Sequence, residues 1–363
     1  FPPLPPYSFK ERFLQKKWWR SFEHLHGSFW ESPLFKIIAD HTILTTLLLS
    51  PLSFLSYLPK EDLTLLQGAR LLYHGYQGIV DCKNPFDEPR LNLLQMAKNQ
   101  GAVVHHDTTL SELQLKWRRI IQCNTTKGDS LKSDWVIHNS NHSLAPLLLK
   151  PKLVRRYETD RMPIKPSGTL LTVNVLVDRD VIPEGMAETL LLVNGRIEPR
   201  EGSPQDPPIV LRCLDALHQG RAKDGSKQWQ SSQEHQLLSA ACAVPLSELE
   251  TPEQLDALKQ QLIKRLERLV PFLNRFVELT SVPASSTPNA GKSHVGGSWN
   301  VHPIFADQGK LHLGLTPKTI QTCFKNLYQG GREIVPGLGL EGEYISALEI
   351  ADKVTEELKK RKN

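Results

Sequence analysis

Cysteine is scarce in this sequence, and the few cysteines are not grouped. The 363 residues include five of them, and they are Cys82, Cys123, Cys213, Cys242 and Cys323. No two stand at the C-x-x-C spacing of zinc ribbons and redox pairs, so neither is predicted. The pairs His24/His26 and His105/His106 have no partner at a metal-ligand spacing, and we predict no metal site. A sparse, odd set of cysteines is typical of reduced thiols in a cytoplasmic compartment.

A strong excess of one charge is also missing. Lys and Arg number 44 and Asp and Glu number 39, which leaves a net charge of +5. A nucleic-acid-binding domain has a larger, clustered positive charge, so we expect no nucleic-acid partner. Hydrophobic residues make up 39% of the chain and charged residues 23%, which excludes a disordered chain. A chain of this length predicts about two domains.

Long hydrophobic runs are absent as well. Thr42–Leu58 contains no charged residue, but its 17 positions are at the lower limit for a membrane-spanning helix, and Pro51 interrupts it. We predict a buried helix pair here, with a surface that touches a bilayer as the alternative. The aromatic-rich segment Glu11–Trp30 predicts a packing helix. No signal-peptide pattern follows Phe1, and a first residue other than Met leaves open that the chain is a fragment.

Two common catalytic motifs are not supported. Gly291-Lys292-Ser293 has the form of the end of a phosphate-binding P-loop, but Ser286 stands where that motif needs its first glycine. No G-x-S-x-G elbow occurs, so a hydrolase serine is not predicted.

The middle of the chain predicts one helix followed by short strands. Glu88–Gln100 has apolar residues at helical spacing and ends at Gly101. The strands predicted after it are Ala102–His106, Leu113–Cys123 and Asp134–His138, with a turn at Lys127–Asp129.

Four further strands and a long helix are predicted after these. The strands are Thr169–Val177, Thr189–Val193, Ile209–Leu214 and Leu237–Val244. No long helical pattern separates them, which favours an antiparallel sheet. A helix follows Thr251, the predicted N-cap, with Gln254 as its capping-box partner and Pro271 as a kink or end.

The C-terminal segment carries the most informative pattern. It reads NLYQGGREIVPGLGLEGEYISALEIADKVTEELKKRKN, which predicts a strand at Leu327–Gln329, glycine-rich turns and a helix over 342–359. Glycines let the backbone approach a ligand closely, and a helix N-terminus attracts flavin or phosphate oxygens. A plain strand-to-helix turn, with Glu343 at the helix start, is the alternative, and the pattern alone does not separate the two.

This segment resembles the C-terminal flavin motif of phytoene desaturase-like FAD-dependent oxidoreductases, in the amine oxidase and GDI-like group. The matching pattern is NLY-x-x-G-x-x-x-x-PG-x-G-x-x-G before a helix with small residues. Upstream, Glu88–Asn139 is similar to the family's helix, G-x-V strand, crossing strand and aD-x-VI-x-N strand. The likeness covers most of residues 68–363. It implies an α/β fold in which a Rossmann-like FAD/NAD(P)-binding domain, incomplete at its N-terminus, is interleaved with an α+β substrate domain built on an antiparallel sheet.

The resemblance implies FAD as the cofactor and assigns positions to it. Gly331, Arg332 and Glu333 would lie near the pyrophosphate and ribityl chain. Pro336, Gly337, Leu338, Gly339 and Leu340 would pass the isoalloxazine ring, with Gly342 opening the helix beneath it. Leu110 would lie near the adenine through its backbone. No catalytic acid or base is predicted, because in such enzymes the flavin performs the redox chemistry.

Two features depart from the family pattern. The N-terminal dinucleotide-binding unit, a strand, a G-x-G-x-x-G turn and a helix, has no counterpart ahead of the matching region. Either it precedes Phe1, or a separate polypeptide completes the FAD site, or the protein binds no FAD. Arg332 stands where many relatives carry an acid, which is one position on, at Glu333. This arginine could donate to a phosphate or be a surface residue.

Two functions from different classes follow from the resemblance. The first is an FAD-dependent oxidoreductase that transfers hydride between flavin and a lipophilic, polyene- or isoprenoid-like substrate. The second is a flavin-free, GDI-like binding or chaperone protein. An amine oxidase ranks lower, because Trp299 and Tyr328 are the only candidates for an aromatic pair beside the flavin. We expect a cytoplasmic protein, with peripheral membrane contact left open.

The resemblance also suggests how the domains divide the chain. Residues 68–142 and 294–363 would form the FAD-binding domain. Residues 1–67 and 143–293 would form the substrate domain.

Overall fold

The structure is a computed structural model, and it describes residues 27–77, 88–139, 144–160, 166–193, 207–221, 227–283, 302–306 and 319–362. The described residues fall into two compact units. Unit 1 takes those within Phe1–Phe29, Leu63–Ile164 and Gln308–Asn363, and unit 2 those within Trp30–Asp62 and Lys165–Asp307. Most of Glu11–Trp30 lies outside the described residues.

The regular elements are numbered along the chain. The helices of the described part are α1 (Pro33–Ala39), α2 (Thr42–Leu49), α3 (Leu52–Leu55), α4 (Leu65–Gln77), α5 (Glu88–Asn99), α6 (Pro151–Asp160), α7 (Pro252–Leu266) and α8 (Gly339–Lys362). Its strands are β1 (Leu110–Lys116), β2 (Arg119–Thr125), β3 (Ser130–Leu131), β4 (Val136–His138), β5 (Pro166–Asp178), β6 (Thr189–Leu192), β7 (Ile209–Arg221), β8 (Lys227–Pro245), β9 (Val277–Ser281), β10 (Pro303–Phe305) and β11 (Leu327–Gln329).

Unit 2 is built on the predicted antiparallel sheet. Its strand order is β10-β5-β8-β7-β6, and β9 also pairs with β5. Alternate residues of β5, among them Val173, Val175 and Val177, are fully buried, as expected when one face of a sheet covers a core. They pack with apolar residues of α7 in one cluster. The antiparallel arrangement is confirmed, and the strands β5, β7 and β8 run longer than the sequence indicates.

The start of α7 is formed by the predicted capping box. The Thr251 side chain accepts the Gln254 N–H, and the Gln254 side chain accepts the Thr251 N–H. These two bonds satisfy donors that a helix N-terminus leaves without intrahelical partners. The helix ends at Leu266, so it stops before Pro271 rather than kinking there.

The uncharged segment of unit 2 forms the short helices α2 and α3, which are separated at Pro51. Leu49 and Leu52 are buried, whereas Leu44 and Leu47 are exposed. The predicted helix pair is therefore present but only partly covered. No helix in the described ranges combines the length and the apolar character that a membrane span needs.

Unit 1 contains a hairpin where the sequence predicted one strand. Leu113–Cys123 belongs to two strands, β1 and β2, which pair antiparallel through a two-residue turn at Trp117 and Arg118. Both turn residues have positive φ, +52° and +65°, the geometry of a type I′ turn. Such turns usually contain Asn-Gly or Asp-Gly, so the dipeptide Trp-Arg does not predict one. The Arg118 guanidinium donates to the Cys323 carbonyl at 2.7 and 3.2 Å, which helps to hold the turn.

A second strand prediction is wrong. Ala102–His106 follows α5 and the Gly101 turn, as expected, but it is not a strand. A strand exists only through its ladder to a neighbour. Within the described ranges this segment has no such neighbour.

The element that positions the candidate site is a parallel pair of strands, β4 and β11. Leu327 pairs with Val136, Tyr328 with Ile137 and Gln329 with His138. Leu327 and Val136 pack into an apolar cluster with the β1–β2 hairpin. Tyr328 packs instead with Ile350 of α8. The strand pair therefore lies between the hairpin and the C-terminal helix.

Candidate functional site

The C-terminal motif forms a strand, a tight loop and a helix. The strand β11 matches the prediction residue for residue. The chain then turns at Gly331, whose φ is +91°, and passes through a 3₁₀ turn at Pro336–Leu338. The helix α8 begins at Gly339, three residues before the predicted start. Gly331 and the residues of the 3₁₀ turn are buried, while Arg332 and Glu333 are partly buried.

The glycines of this loop approach other parts of the protein closely. A Cβ at Gly331 would clash with the Asn139 side chain, and one at Gly337 with the Gln67 side chain. A Cβ at Gly342 would collide with the Val335 carbonyl. At Gly342 the clash is with backbone, so glycine is required there, whereas at Gly331 and Gly337 the space is filled by the side chains of Asn139 and Gln67.

Gly337, Gly339 and Gly342 stand at the G-x-G-x-x-G spacing. In a dinucleotide-binding unit this pattern follows a strand directly and opens a helix. Here it opens α8, but β11 has already ended at Gln329. Only the helix half of the fingerprint is therefore present at this position.

The charged residues Arg332 and Glu333 of the loop have partners on the adjoining helix and strand. The Arg332 Nε donates to Glu343 Oε1 at 3.1 Å, and both side chains are about three-quarters buried. The Gln329 Nε2 donates to Glu333 Oε2 at 3.4 Å. The predicted phosphate contact of Arg332 would therefore compete with Glu343.

One buried acceptor beside the loop is unsatisfied. Gln329 is almost fully buried, and within the described structure its Oε1 accepts no hydrogen bond. A buried polar atom without a partner is costly, and such atoms commonly indicate a bound ligand or water. The loop and its flanks thus combine a buried acceptor without a described partner, an arginine paired with Glu343 and the N-terminus of α8.

Ser346 was not predicted, although it holds the loop to α8. The Gly331 N–H donates to Ser346 Oγ at 3.1 Å, and Ser346 Oγ donates to the Glu343 carbonyl at 2.8 Å. Ser346 is buried, so this bond fixes the glycine turn against the helix. The only sequence signal was a small polar residue about two turns into a helix that opens with glycines.

An ion pair between α4 and α8 was missed as well. The Arg70 Nε donates to both oxygens of Glu341, at 2.8 and 3.0 Å, and its Nη2 also contacts Glu341. Both side chains are partly buried. A carboxylate in the first turn of a helix is favourable, and the guanidinium fork adds orientation to it. The pair fixes the N-terminus of α8 against α4.

The motif residue Asn326 has a structural role. Its side chain accepts the Ile120 N–H at 2.8 Å and donates to the Ile120 carbonyl at 2.9 Å. It also donates to the Asp134 carbonyl at 3.0 Å. Asn326 is buried, so the amide joins the hairpin to the start of β4.

Leu110 lies apart from the other predicted site residues. It begins β1 and packs against the apolar cluster of the hairpin, with Leu113 and Leu327. The loop residues Ile334, Val335 and Leu338 pack into a different cluster. The described contacts do not bring Leu110 against the glycine loop.

The aromatic candidates for an amine oxidase site find no support. Tyr328 is fully buried, and its hydroxyl donates to Glu357 Oε1 at 2.8 Å. Burial, together with the Glu357 carboxylate, raises the pKa of Tyr328. Trp299 lies outside the described residues. Among the described residues, no cluster of His, Cys, Asp and Glu is suited to a metal ion.

Comparisons with known proteins identify the fold and not the family. No protein-family model and no curated protein sequence matches this chain. An oxidoreductase from Methanosarcina mazei is similar over 95% of this chain and 73% of its own, at 15% identity and a TM-score of 0.56. At this identity, the similarity shows that the two chains share a fold.

Weaker structural matches include two proteins with relevant activities. Cyclohexylamine oxidase from Brevibacterium oxydans matches 98% of this chain and 77% of its own, at 11% identity and a TM-score of 0.47. A Rab GDI from Plasmodium falciparum matches 68% of this chain and 40% of its own, at 8% identity and a TM-score of 0.29. Both are too dissimilar to support an argument.

Proposed function

We propose that this chain forms the larger part of an FAD-dependent oxidoreductase that transfers hydride between flavin and a lipophilic, polyene- or isoprenoid-like substrate. The observation that carries the proposal is the loop from β11 to α8. It places a glycine turn at Gly331, the partly buried Arg332 and a helix N-terminus on one short segment. The shared fold with an oxidoreductase supports the same reaction class.

The residues proposed to hold FAD come from this loop. Gly331, Arg332 and Glu333 would bind the pyrophosphate and ribityl part. Pro336–Leu340 would lie along the isoalloxazine ring, and Gly342 would follow in the first turn of α8. The bound flavin would supply the redox chemistry, and the protein would bind, orient and exclude water. Leu110 remains a proposed adenine contact.

The proposed substrate class rests on the family resemblance and on the apolar surface of unit 2. Leu44 and Leu47 on α2 and Ile37 on α1 are exposed. They lie on or next to the uncharged segment, so they could contact an apolar substrate or a bilayer surface. A cytoplasmic protein with peripheral membrane contact is the corresponding proposal for its location.

FAD binding is tested first by absorbance and titration. The protein purified from its complete gene should show flavin bands near about 375 and 450 nm, since the protein only tunes the cofactor. After flavin removal, FAD should rebind, and Arg332→Ala should weaken its binding at least about tenfold through loss of a charged donor. Arg361→Ala is the matched control, because Arg361 pairs with Asp134 at the far end of α8. A colourless protein that takes up no FAD would refute the proposal.

A flavin-free, GDI-like binding protein is the second candidate. The glycine contacts favour this candidate, because the space beside three glycines of the motif is filled by Asn139, Gln67 and Val335 rather than left for a ligand. A dansyl-labelled farnesyl probe separates the two candidates. Tight probe binding by a protein that takes up no FAD would support the second candidate, and probe binding that requires FAD would support the first.

A further inference from the structure

The turn of the β1–β2 hairpin holds a large aromatic side chain in solvent. Trp117 is 83% exposed, which is more than any other large apolar side chain of the described residues. Tryptophan is highly buried in most proteins. Where it stays at the surface, it is enriched at interfaces at which its apolar ring meets one environment and its polar edge another. The position of Trp117 therefore indicates an interaction surface at the end of the hairpin.

The backbone of this turn is unfavourable for tryptophan. Trp117 and Arg118 have φ of +52° and +65°. Asn, Asp and Gly fill these two positions of a type I′ turn with little strain, whereas a bulky residue at positive φ is an outlier. Strained backbone conformations of this kind cluster at functional positions. Trp117 thus lowers the stability of the turn relative to Asn, and its retention is explained if the indole binds a partner.

Three exposed cations lie at the same tip. Lys116 and Arg118 flank Trp117 in the chain, and all three residues are exposed. Lys325 comes from a distant segment, and its N–H donates to the Arg118 carbonyl at 2.8 Å, which places this exposed lysine against the turn. We call Lys116, Trp117, Arg118 and Lys325 the hairpin tip.

The charge around the hairpin tip is of one sign. Residues 113–128 and 319–331 contain five basic residues and no acidic one, although the whole chain is nearly balanced at 44 basic and 39 acidic residues. The described contacts bring one acid close to this region, since the Arg119 Nη2 donates to the Asp134 carbonyl at 3.4 Å. The carboxylate of Asp134 is paired with Arg361 at 2.7 Å. The cations of the tip therefore attract an anionic partner.

The hairpin tip is also held in place from the side. The Arg118 guanidinium donates to the Cys323 carbonyl, and the Asn326 amide bonds both backbone groups of Ile120. These bonds come from one segment, and together with the backbone bond of Lys325 they fix the turn with Trp117 pointing away from the apolar cluster of the hairpin. A partner can then bind without first ordering the tip, which lowers the entropy cost of binding.

We propose that the hairpin tip docks on the surface of a bilayer that contains anionic lipid. The indole of Trp117 would enter the region between headgroups and acyl chains, where tryptophan is enriched, and the three cations would contact anionic headgroups. A single aromatic ring among cations fits a bilayer better than a protein partner. Protein interfaces bury about 800 Å² on each side and have a core that is poor in charged residues.

The hairpin tip is a different surface from the exposed apolar residues of unit 2. It belongs to unit 1, and it combines one aromatic residue with cations, whereas α1 and α2 expose aliphatic side chains such as Leu47. The inference uses no residue proposed to hold FAD, so it stands or falls independently of flavin binding.

Vesicle flotation with the protein produced from its complete gene tests the proposal. Vesicles are made of phosphatidylcholine alone or with about 30% phosphatidylserine, which gives them an anionic surface. The protein should bind the anionic vesicles at least about tenfold more tightly than the neutral ones. About 0.5 M salt should release it, because salt screens exposed charges. No binding to the anionic vesicles, or equal binding to both kinds, would overturn the proposal.

Trp117→Asn tests the aromatic residue without damage to the fold. Asn accepts positive φ, so urea denaturation should show a stability equal to or above that of the unchanged protein. Binding to anionic vesicles should nevertheless weaken at least about tenfold, because the inserted ring is lost. Lys116→Ala and Lys325→Ala should each weaken it about fivefold. Lys127→Ala is the matched control, since it removes the same charge at the other end of β2, and it should have less than about a twofold effect.

Leu47→Ser distinguishes the hairpin tip from the apolar surface of unit 2. Leu47 is exposed on α2, and its replacement should change vesicle binding by less than about twofold. A loss of binding with Leu47→Ser but not with Trp117→Asn would place the bilayer contact on unit 2 and overturn the proposal. Equal effects of Lys116→Ala and Lys127→Ala would also overturn it, because binding would then follow net charge rather than the hairpin tip.

Discussion

The Tyr328 hydroxyl donates a 2.8 Å hydrogen bond to Glu357, and this bond ties the strand β11 to the last turns of α8. The other oxygen of the same carboxylate accepts the Trp135 Nε1–H at 2.7 Å. Arg361 lies over the Trp135 ring, 4.4 Å from its centroid. The helix that begins at the glycine loop is therefore held at its far end as well, which fixes its axis relative to the parallel strands.

Removing the Glu357 carboxylate should lower the free energy of unfolding more than removing either of the groups that donate to it. Glu357→Ala leaves the buried Tyr328 hydroxyl without its acceptor, so we expect a loss of about 2–3 kcal/mol in the free energy of unfolding. Tyr328→Phe removes the donor along with the bond and should cost about 1 kcal/mol. Urea denaturation of the two variants and of their combination measures the coupling. If the combined loss equals the sum of the single losses, the bond contributes nothing.

The same pair predicts a pH dependence at alkaline pH. Burial and the Glu357 carboxylate raise the pKa of Tyr328 above its ordinary value of about 10. The unfolded chain then loses this proton first, so the stability that Tyr328 contributes is complete below about pH 10 and is lost as the pH rises beyond it. Tyr328→Phe should flatten the decline in stability between about pH 9 and 11. Tyr73→Phe, at an exposed tyrosine, is the control and should leave the decline unchanged.

Unit 2 shows what local patterns could predict. The alternation of Val173, Val175 and Val177 indicates a half-buried strand, and Thr251 with Gln254 indicates a capped helix. Each of these signals is contained in a few consecutive residues, so each can be recognised without knowledge of the fold. The type I′ turn at Trp117 and Arg118 was not readable, because a bond from Arg118 to the distant Cys323 helps to hold it.

In the candidate site, too, local features were predicted from the sequence, whereas features that depend on distant contacts were not. Its strand and helix were predicted from hydrophobic pattern and glycine positions, but the purpose of the glycines was not. A Cβ at Gly337 would meet the side chain of Gln67, which is far away in the sequence, and a Cβ at Gly331 would meet that of Asn139. The pairing of Arg332 with Glu343 and of Arg70 with Glu341 likewise depends on which elements pack together.

Asn326 should be among the most sensitive positions in unit 1. Asn326→Ala leaves the Ile120 N–H and the carbonyls of Ile120 and Asp134 without this partner, so we expect a loss of about 3 kcal/mol. Asn326→Asp keeps the acceptor but places a carboxylate against two carbonyl oxygens, and it should be no less destabilising. Asn274→Ala, at an exposed asparagine in unit 2, should change stability by less than about 0.5 kcal/mol. A loss at Asn326 no larger than at Asn274 would show that this amide does not join the hairpin to β4.

Two glycines with nearly the same positive φ allow the effects of backbone strain and of side-chain crowding to be separated. Gly128 and Gly331 have φ of +92° and +91°, but a Cβ at Gly128 meets no atom within 4 Å whereas one at Gly331 would strike Asn139. Gly128→Ala should cost about 1 kcal/mol, the penalty for alanine at positive φ. Gly331→Ala should lower the stability more than Gly128→Ala does. Adding Asn139→Ala to Gly331→Ala should remove this extra loss. Thermal unfolding of the three variants checks this, and equal losses at Gly128 and Gly331 would count against crowding.

Cys242 should be inert toward thiol reagents in the native protein. It is buried on β8, and burial, only partly offset by Arg265, raises its pKa to about 12. The thiolate is the reactive form, so at about pH 8 very little of it is present. We expect iodoacetamide to modify the partly buried Cys323 in the folded protein faster than Cys242, which should react only after unfolding, as measured by peptide mass mapping. Modification of Cys242 as fast as Cys323 would mean that the sheet of unit 2 opens readily around β8, which its fully buried neighbours Leu238 and Ala240 argue against.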